Sequence, residues 1–391
     1  MRAGKRKEPR RICIVTGSRA EYGLLKPVMD EILNTDSLEL QVVATGMHLL
    51  PEHGNTVDLI KNDGIRVDAA VPLILGGDTK SSMAASIGVG IVQLTSVLDL
   101  LNPHVVVVLG DRFETLAAAI AASYTGRVLA HISGGDISGG GFDEYTRHAI
   151  TKIAHIHFPS TEESAERIAK MGERNVFPVG STAMDVIQNL LPQLSDRAEV
   201  LRRYNLKNSR PLALVVHHPV TIGEEGGLEN LLRALTDSGC NGIVVYPNAD
   251  PGSKKVIDEL LRFTSSESHD PGIRVVRNLP RREYFEVMNA ADFMIGNSSS
   301  GIIETPYFKK PSIQVGSRQV GRASAGNVLF VGTGYDEIRD AIRTALQDKA
   351  FAERVRTCVN PYGYGGASRK IVDVLNNLAI DEGLLRKKMT Y

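Results

Sequence analysis

Residues Val105–His148, VVVVLGDRFETLAAAIAASYTGRVLAHISGGDISGGGFDEYTRH, decide the fold class. The run begins with an unbroken apolar, β-branched segment, the pattern of a strand buried on both faces in a parallel sheet. It stops at Gly110 and presents Asp111, Arg112 and Glu114 where the strand ends, and a helix is predicted to follow. Val128–Ile132 reads as the next strand. It opens into a glycine-rich loop holding Ser133 and Asp136, followed by Asp143, Glu144, Arg147 and His148. Two acidic clusters therefore leave the ends of successive strands, and in an open α/β sheet that edge is where ligands bind.

Composition narrows the partners. A chain of 391 residues fits two domains of ordinary size. Its 45 basic and 45 acidic side chains cancel, so overall charge favours neither nucleic acid nor an anionic membrane. Cys13, Cys240 and Cys358 are odd in number and far apart, which predicts reduced, structural thiols in a cytoplasmic protein and neither a disulfide framework nor a metal site. No apolar run is read as long enough to span a bilayer, which takes roughly 18 residues. The basic start, MRAGKRKEPRR, lacks the apolar centre of a signal peptide and is read as a disordered tail.

Working outward to the N-terminus, Ile12–Thr16 reads as a strand and Gly17 ends it, with Ser18 and Arg19 at the turn into an amphipathic helix. Backbone N–H groups at such a turn suit an anion, and an arginine can add a bidentate contact. The competing reading pairs Arg19 with Glu21. Leu40–Thr45 is the second strand, and His48 and His53 follow it, as proton-transfer groups or as loop-ordering hydrogen-bond partners. Met83–Leu101 is a long helix ended by Asn102-Pro103. Beyond His148, strand His155–Phe158, a helix capped by Ser160 or Thr161, and strand Asn175–Val179 complete the first domain near Thr182. A helical segment, Asp185–Tyr204, leads to the second.

The second half repeats the alternation. Strands are read at Leu212–Val216, Gly242–Tyr246, Ile273–Val276 and Phe293–Ile295, with helices at Leu228–Thr236, Lys254–Phe263 and Arg281–Ala291, so this half too is a parallel-sheet domain. Three of its loops carry polar groups suited to a nucleotide: His217-His218-Pro219, Pro247–Lys254 with Asn248, and GNSSSGIIET at Gly296–Thr305. In the last, small residues including Gly301 let the backbone approach a ligand, Ser298 and Ser299 precede a helix, and Glu304 is placed about one and a half turns into it.

The blocks GSRAEYGLL, GDRFE, HISGGD, DEYTRHAITKIAHIHF, HHPVT, PNADPGSK, GNSSSGIIE and GSRQVGR, in this order between Arg11 and Ala379, resemble the UDP-N-acetylglucosamine 2-epimerases, in particular their hydrolysing branch. That resemblance implies a GT-B type α/β fold: two Rossmann-like parallel-sheet domains, residues 1–182 and 183–365, an interdomain cleft, and a C-terminal helix within 366–391 that packs back on the first domain. It also implies a cofactor-free reaction in which UDP-N-acetylglucosamine and water give N-acetylmannosamine and UDP through a 2-acetamidoglucal. Asp111 and Asp143 become acid/base candidates, with Asp136, Glu144 and Ser133 in the same catalytic set. Arg19, Arg112 and His218 would face the diphosphate, Ser298 and Ser299 its oxygens, Glu304 the ribose, and Asn248 and Lys254 the nucleotide. His48, Arg147, His148 and Gly301 complete the binding set, and Arg318 would close the site.

One departure stands out. Many hydrolysing members read HIEGGE where this chain reads HISGGD, so Ser133 stands in place of a glutamate. The change points either to Asp136 taking over proton transfer or to another sugar, GDP- or UDP-linked diacetylbacillosamine. A nonhydrolysing 2-epimerase and a retaining GT-B glycosyltransferase are the other readings. A homodimer or homotetramer is expected from the resemblance.

Overall fold

The computed structural model describes residues 8–51, 54–76, 79–138, 141–220, 227–247, 252–265, 272–277 and 279–388. The chain forms two units: Met1–Asp136, Phe142–Val186 and Gly365–Tyr391 make the first, and Ile137–Gly141 with Ile187–Tyr364 the second.

The first unit is built on six parallel strands: β1 (Arg10–Thr16), β2 (Leu38–Thr45), β3 (Ala69–Val71), β4 (Val105–Leu109), β5 (Val128–Ile132) and β6 (Ile156–Phe158). Their order is β3-β2-β1-β4-β5-β6. All five residues of β4 are buried, and they alternate between two cores. Val105, Val107 and Leu109 join Ile12, Ile14 and Leu25 on one face, while Val106 and Val108 join Leu94, Leu98 and Ala118 on the other. Each such side chain contributes about 1.5–3 kcal/mol by leaving water, which is why the strand carries no polar alternation. The helix Ala367–Asn377 brings Ile371, Val372 and Leu375 into the first of these cores. Its exposed N-terminal amides are met by Asp185, which accepts from Gly366, Ala367 and Ser368.

The second unit has the same winding. Strands β7 (Leu212–Val216), β8 (Asn241–Val245), β9 (Ile273–Val276), β10 (Phe293–Gly296), β11 (Ser312–Val315) and β12 (Val328–Val331) lie in the order β12-β11-β10-β7-β8-β9. In both sheets the strand order reverses between the first and fourth strands, β1 and β4 here, β7 and β10 there. Such a switch point opens a crevice at the carboxyl ends of the strands, the usual ligand position in a doubly wound fold.

Several sequence expectations need correction. The helix Lys80–Leu101 is long and apolar enough to cross a membrane, with mean hydropathy 1.7, although no such run was read; interspersed Ser, Thr, Gly and Gln residues hide it. Gly90 on this helix packs against Ala117 and Leu73, as a sheet-covering helix does. Asn175–Val179 is not a strand: only Val176 bridges to His157, because Asn175 takes φ +54 and Pro178 lacks the N–H a ladder needs. Asp185–Tyr204 divides into helices Thr182–Leu190 and Arg197–Arg203 around Pro192. The helix after GNSS spans only Ser300–Ile303, so Glu304 is its C-cap and does not lie further inside; Pro306 follows. Strands β3, β11 and β12 were missed, being short or, in β11, carrying the buried polar Ser312 and Gln314.

Candidate active site

At the first switch point, Ser18 caps the helix Arg19–Leu33 by accepting from the Glu21 N–H at 3.3 Å. Glu21 turns inward, where its Oε2 accepts the Gly17 amide at 2.6 Å, and Arg19 is exposed at the first helical position. His48 is fully buried between Thr16 Oγ1 at 3.1 Å and Thr56 Oγ1 at 2.8 Å. Burial pushes its pKa down to about 4, so it is a neutral tie between two loops at physiological pH. His53 lies outside the described residues.

The end of β4 carries the charge. Gly110 turns with φ +77 and its carbonyl accepts from His131 Nε2 at 2.7 Å, while Thr151 Oγ1 lies 3.3 Å from His131 Nδ1. Burial lowers the His131 pKa to about 3, so this ring is neutral. Asp111, a quarter exposed, accepts from Arg147 Nε at 2.8 Å and from a terminal nitrogen of the same guanidinium. Arg147 itself is 2% exposed on the helix Phe142–Ile153. Its remaining nitrogen donates to Glu144 Oε2 and to the Asp136 carbonyl, each at 2.9 Å. Burial opposes its charge, yet Asp111, then Asp136 and Glu144, hold the guanidinium above its ordinary value. Arg147 is therefore the hub that gathers the acidic residues, a position no binding role had suggested.

The other groups of this edge divide by orientation. Glu144 Oε1 faces His148 Nε2 at 3.1 Å. Asp143 is exposed in the first turn of the same helix, where a carboxylate also complements the helix dipole. The Asp136 carboxylate is buried and accepts from Ser164 Oγ at 2.7 Å. Ser133 adopts φ +61, uncommon for a serine, with its hydroxyl 3.0 Å from that of Ser160 and its amide donating to Phe158. Arg112, at the cap of the helix Phe113–Tyr124, pairs with Glu114 at 3.2 Å.

The second switch point is tied by amide and backbone groups with Arg318 beside them. His218 N–H donates to Asn297 Oδ1 at 2.7 Å, and Asn297 Nδ2 returns a bond to the His218 carbonyl at 2.8 Å. Burial, then Arg318 and His217, push the His218 pKa down to about 3. The Asn297 carbonyl accepts from Arg318 and Gln319, both at 3.1 Å. Ser298 is buried and Ser299 half-buried in the turn that follows. Gly301 is required there: a Cβ would lie 2.2 Å from Gln314 Nε2, which donates to the Ser298 carbonyl. Glu304 is buried, with Oε1 on Arg281 at 2.6 Å and Oε2 without a hydrogen-bond partner. Lys254 is exposed in the first turn of the helix Ser253–Ser265, and Asn248 lies outside the described residues.

Sequence reasoning did not single out Glu21, His131, Ser164 or Asn297. Glu21, His131 and Asn297 lie inside the GSRAEYGLL, HISGGD and GNSSSGIIE blocks, but their contacts with Thr115, Gly110 and His218, like that of Ser164 with Asp136, join residues distant along the chain.

Two doubly wound sheets of identical strand order, with polar clusters at both switch points, define a GT-B type α/β fold. The sequence model of one family, UDP-N-acetylglucosamine 2-epimerase, matches residues 30–376, and the chain belongs to that family. Over 388 residues it is 35% identical to the UDP-N,N'-diacetylbacillosamine 2-epimerase (hydrolyzing) of Legionella pneumophila, covering 98% of this chain and 100% of the relative. It is 34% identical to the UDP-N-acetylglucosamine 2-epimerase of Neisseria meningitidis serogroup B, covering 86% and 87%. Among solved structures, the Neisseria meningitidis UDP-GlcNAc 2-epimerase bound to UDP-GlcNAc superposes with a TM-score of 0.80 at 21% identity, over 93% of this chain and 99% of that one.

Proposed function

We propose that the protein is a hydrolysing 2-epimerase of a UDP-linked 2-acetamido sugar, with the first unit acting on the sugar and the second holding the nucleotide. The observation that carries this reading is the gathering of Asp111 and Glu144 around buried Arg147 at the carboxyl edge of the first sheet. A carboxylate fixed there can take the proton from carbon two while the carbon–oxygen bond at carbon one breaks. The electron pair forms the glucal double bond, and UDP leaves as the anion. Water then adds across that bond: a proton returns to carbon two from the opposite face, and hydroxyl goes to carbon one. The sum is UDP-sugar and water to free epimerised sugar and UDP.

In this scheme Asp111 transfers one proton. Asp143, exposed at its helix start, or Glu144 supplies the second. Asp136, bonded to Ser164, shapes the glycine-rich loop. Arg19, Arg112 and Arg318 offset the diphosphate charge, and His218, neutral, donates or accepts without titrating near pH 7. Ser298, Ser299 and Gly301 form the turn against the diphosphate, Glu304 receives the ribose hydroxyls, and Asn248 and Lys254 stand on the nucleotide side. His48 orders the loop, and His148 acts through Glu144.

For the sugar, two substrates compete. UDP-N-acetylglucosamine follows from the family; the 2,4-diacetamido sugar is favoured by the full-length likeness to the Legionella relative and by small Ser133 in the loop. The test is NMR product analysis in deuterated water with UDP- and GDP-linked forms of both. Free 2-epimer carrying deuterium at carbon two is expected. Epimer still attached to nucleotide would establish a nonhydrolysing reaction, and UDP release only with an added acceptor would establish a glycosyltransferase. The buried free thiols suit the cytoplasm, and the expected dimer or tetramer is checked by solution mass.

A further inference from the structure

The first switch point is filled by two carboxyl groups that the proposed reaction does not use. Glu21, 6% exposed, lies in the first turn after β1, and Glu114, 1% exposed, in the first turn after β4. Glu21 Oε2 takes the Gly17 amide at 2.6 Å, and Thr115 Oγ1 lies 3.5 Å from Glu21 Oε1. Glu114 Oε1 receives Arg112 through two nitrogens at 3.3 and 3.2 Å. Glu114 Oε2 is buried with no hydrogen-bond partner among the described residues. There is no slack around it: a Cβ on Gly46 would fall 2.8 Å from Glu114 Oε1, and one on Gly17 would fall 3.3 Å from the Glu114 side chain.

Two buried carboxylates beside one guanidinium leave a negative charge uncompensated, and an orphaned carboxylate oxygen is a defect folded proteins rarely keep. A single proton resolves both difficulties, since two acids in one low-dielectric site do not both ionise. The groups facing the pair are few: the Gly17 amide from the β1 turn, uncharged Gly46 from the β2 turn, and Arg112 and Thr115 from the helix after β4. Burial first, with the Glu114 charge behind it, pushes the Glu21 carboxyl up to about 8 against the pull of the Gly17 amide and Arg112.

We propose that Glu21 keeps its proton in the fold at this switch point and acts with Glu114 as a positioning pair, Glu21 fixing the Gly17-Ser18-Arg19 turn and Glu114 fixing Arg112. The consequence for ligand binding rests on the reading of Arg112 as a diphosphate contact; the retained proton does not. Because the folded protein keeps a proton that the unfolded chain releases, the pair makes stability fall as pH rises from the ordinary carboxylate range to about 8 and then level off.

Infrared spectroscopy of the full chain labelled with carboxyl-13C glutamate tests the pair. A neutral glutamic acid band is expected at pH 7, fading as pH passes through about 8 and absent in folded Glu21→Gln. Above the range in which the histidines titrate, melting temperature should decline between about pH 7 and about 8 in the wild type and stay level there in Glu21→Gln. Calorimetric titration with UDP should give about tenfold weaker binding for Glu114→Gln. Absence of the band in the wild type, or its persistence in Glu21→Gln, overturns the retained proton; unchanged UDP affinity in Glu114→Gln overturns the positioning of Arg112. If Glu21→Gln does not fold, the wild-type band and its pH dependence decide. If the wild type binds no UDP, the nucleotide reading fails while the band still judges the pair.

Discussion

The two switch points invite direct comparison, because the same strand order builds both and different chemistry fills them. Between β1 and β4 the chain places Glu21, Glu114, Arg112 and, one turn away, the Asp111–Arg147–Glu144 cluster. Between β7 and β10 it places a reciprocal pair of neutral hydrogen bonds, Asn297 with the His218 backbone, and a histidine held uncharged. Topology dictates where a crevice opens; side chains dictate its use. A charged edge, with carboxylates held by one buried arginine, suits moving protons. An edge of amides, hydroxyls and backbone groups beside Arg318, with its histidine uncharged, suits holding an anion without changing its protonation.

If that division of labour holds, the largest effect belongs to Asp111→Asn. Turnover should fall by about a thousandfold while UDP affinity changes by less than about threefold, read by steady-state kinetics beside calorimetry. Equal losses in both would erase the contrast between the edges. Next, Arg147→Met removes the charge that gathers Asp111 and Glu144, and urea unfolding should show about 3 kcal/mol less stability. A change below about 1 kcal/mol would mean that the acidic residues do not depend on this hub. On the second edge, Asn297→Ala opens the tie to His218 and should cost about 2 kcal/mol in the same measurement, since buried backbone groups lose their partners.

Smallest is His218→Ala, expected to weaken UDP binding by about tenfold, or roughly 1.4 kcal/mol. His218, His131 and His48 also set the acid side of stability. Their folded pKa values lie at about 3, 3 and 4, below the unfolded histidine value. The unfolded chain therefore binds protons first, and stability is lost as pH falls from about 6.5 toward these values. Melting temperatures of Glu21→Gln between pH 4 and 7, where the opposing Glu21 contribution is absent, check this, and a flat profile would show that these rings are charged in the fold.

Much of the fold was legible locally. Val105–Leu109 and Leu212–Val216 coincide with observed strands, because strands covered on both faces need unbroken apolar runs, and Val128–Ile132 and Ile273–Val276 coincide too although His131 and Arg274 interrupt them. Asn175–Val179 misled because it has strand composition while Pro178 and a left-handed Asn175 limit its pairing to a single bridge, Val176 with His157. Ser312–Val315 escaped because Ser312 and Gln314 are polar yet buried, Gln314 Nε2 donating to the Ser298 carbonyl and to Ser312 Oγ. Among site residues, those next to glycine turns could be read, since the turn itself marks the edge. Their partners could not. Thr115 reaches Glu21 across 94 positions, and Asp185 caps Gly366 across 181.

By itself, then, the sequence determined the alternation of buried strands and helices in two halves, and the ligand-edge turns at Gly17, Gly110, His217 and Gly296, because hydrophobic period and turn chemistry are properties of neighbouring residues. Only the tertiary structure decided that Arg147 is the centre of the acidic cluster, that His48 is a tie between loops, and that Glu21 and Glu114 confront each other in the interior. Those roles depend on which groups are buried together and which charges they face. The winding of the sheet sets that, and no local stretch of chain contains it.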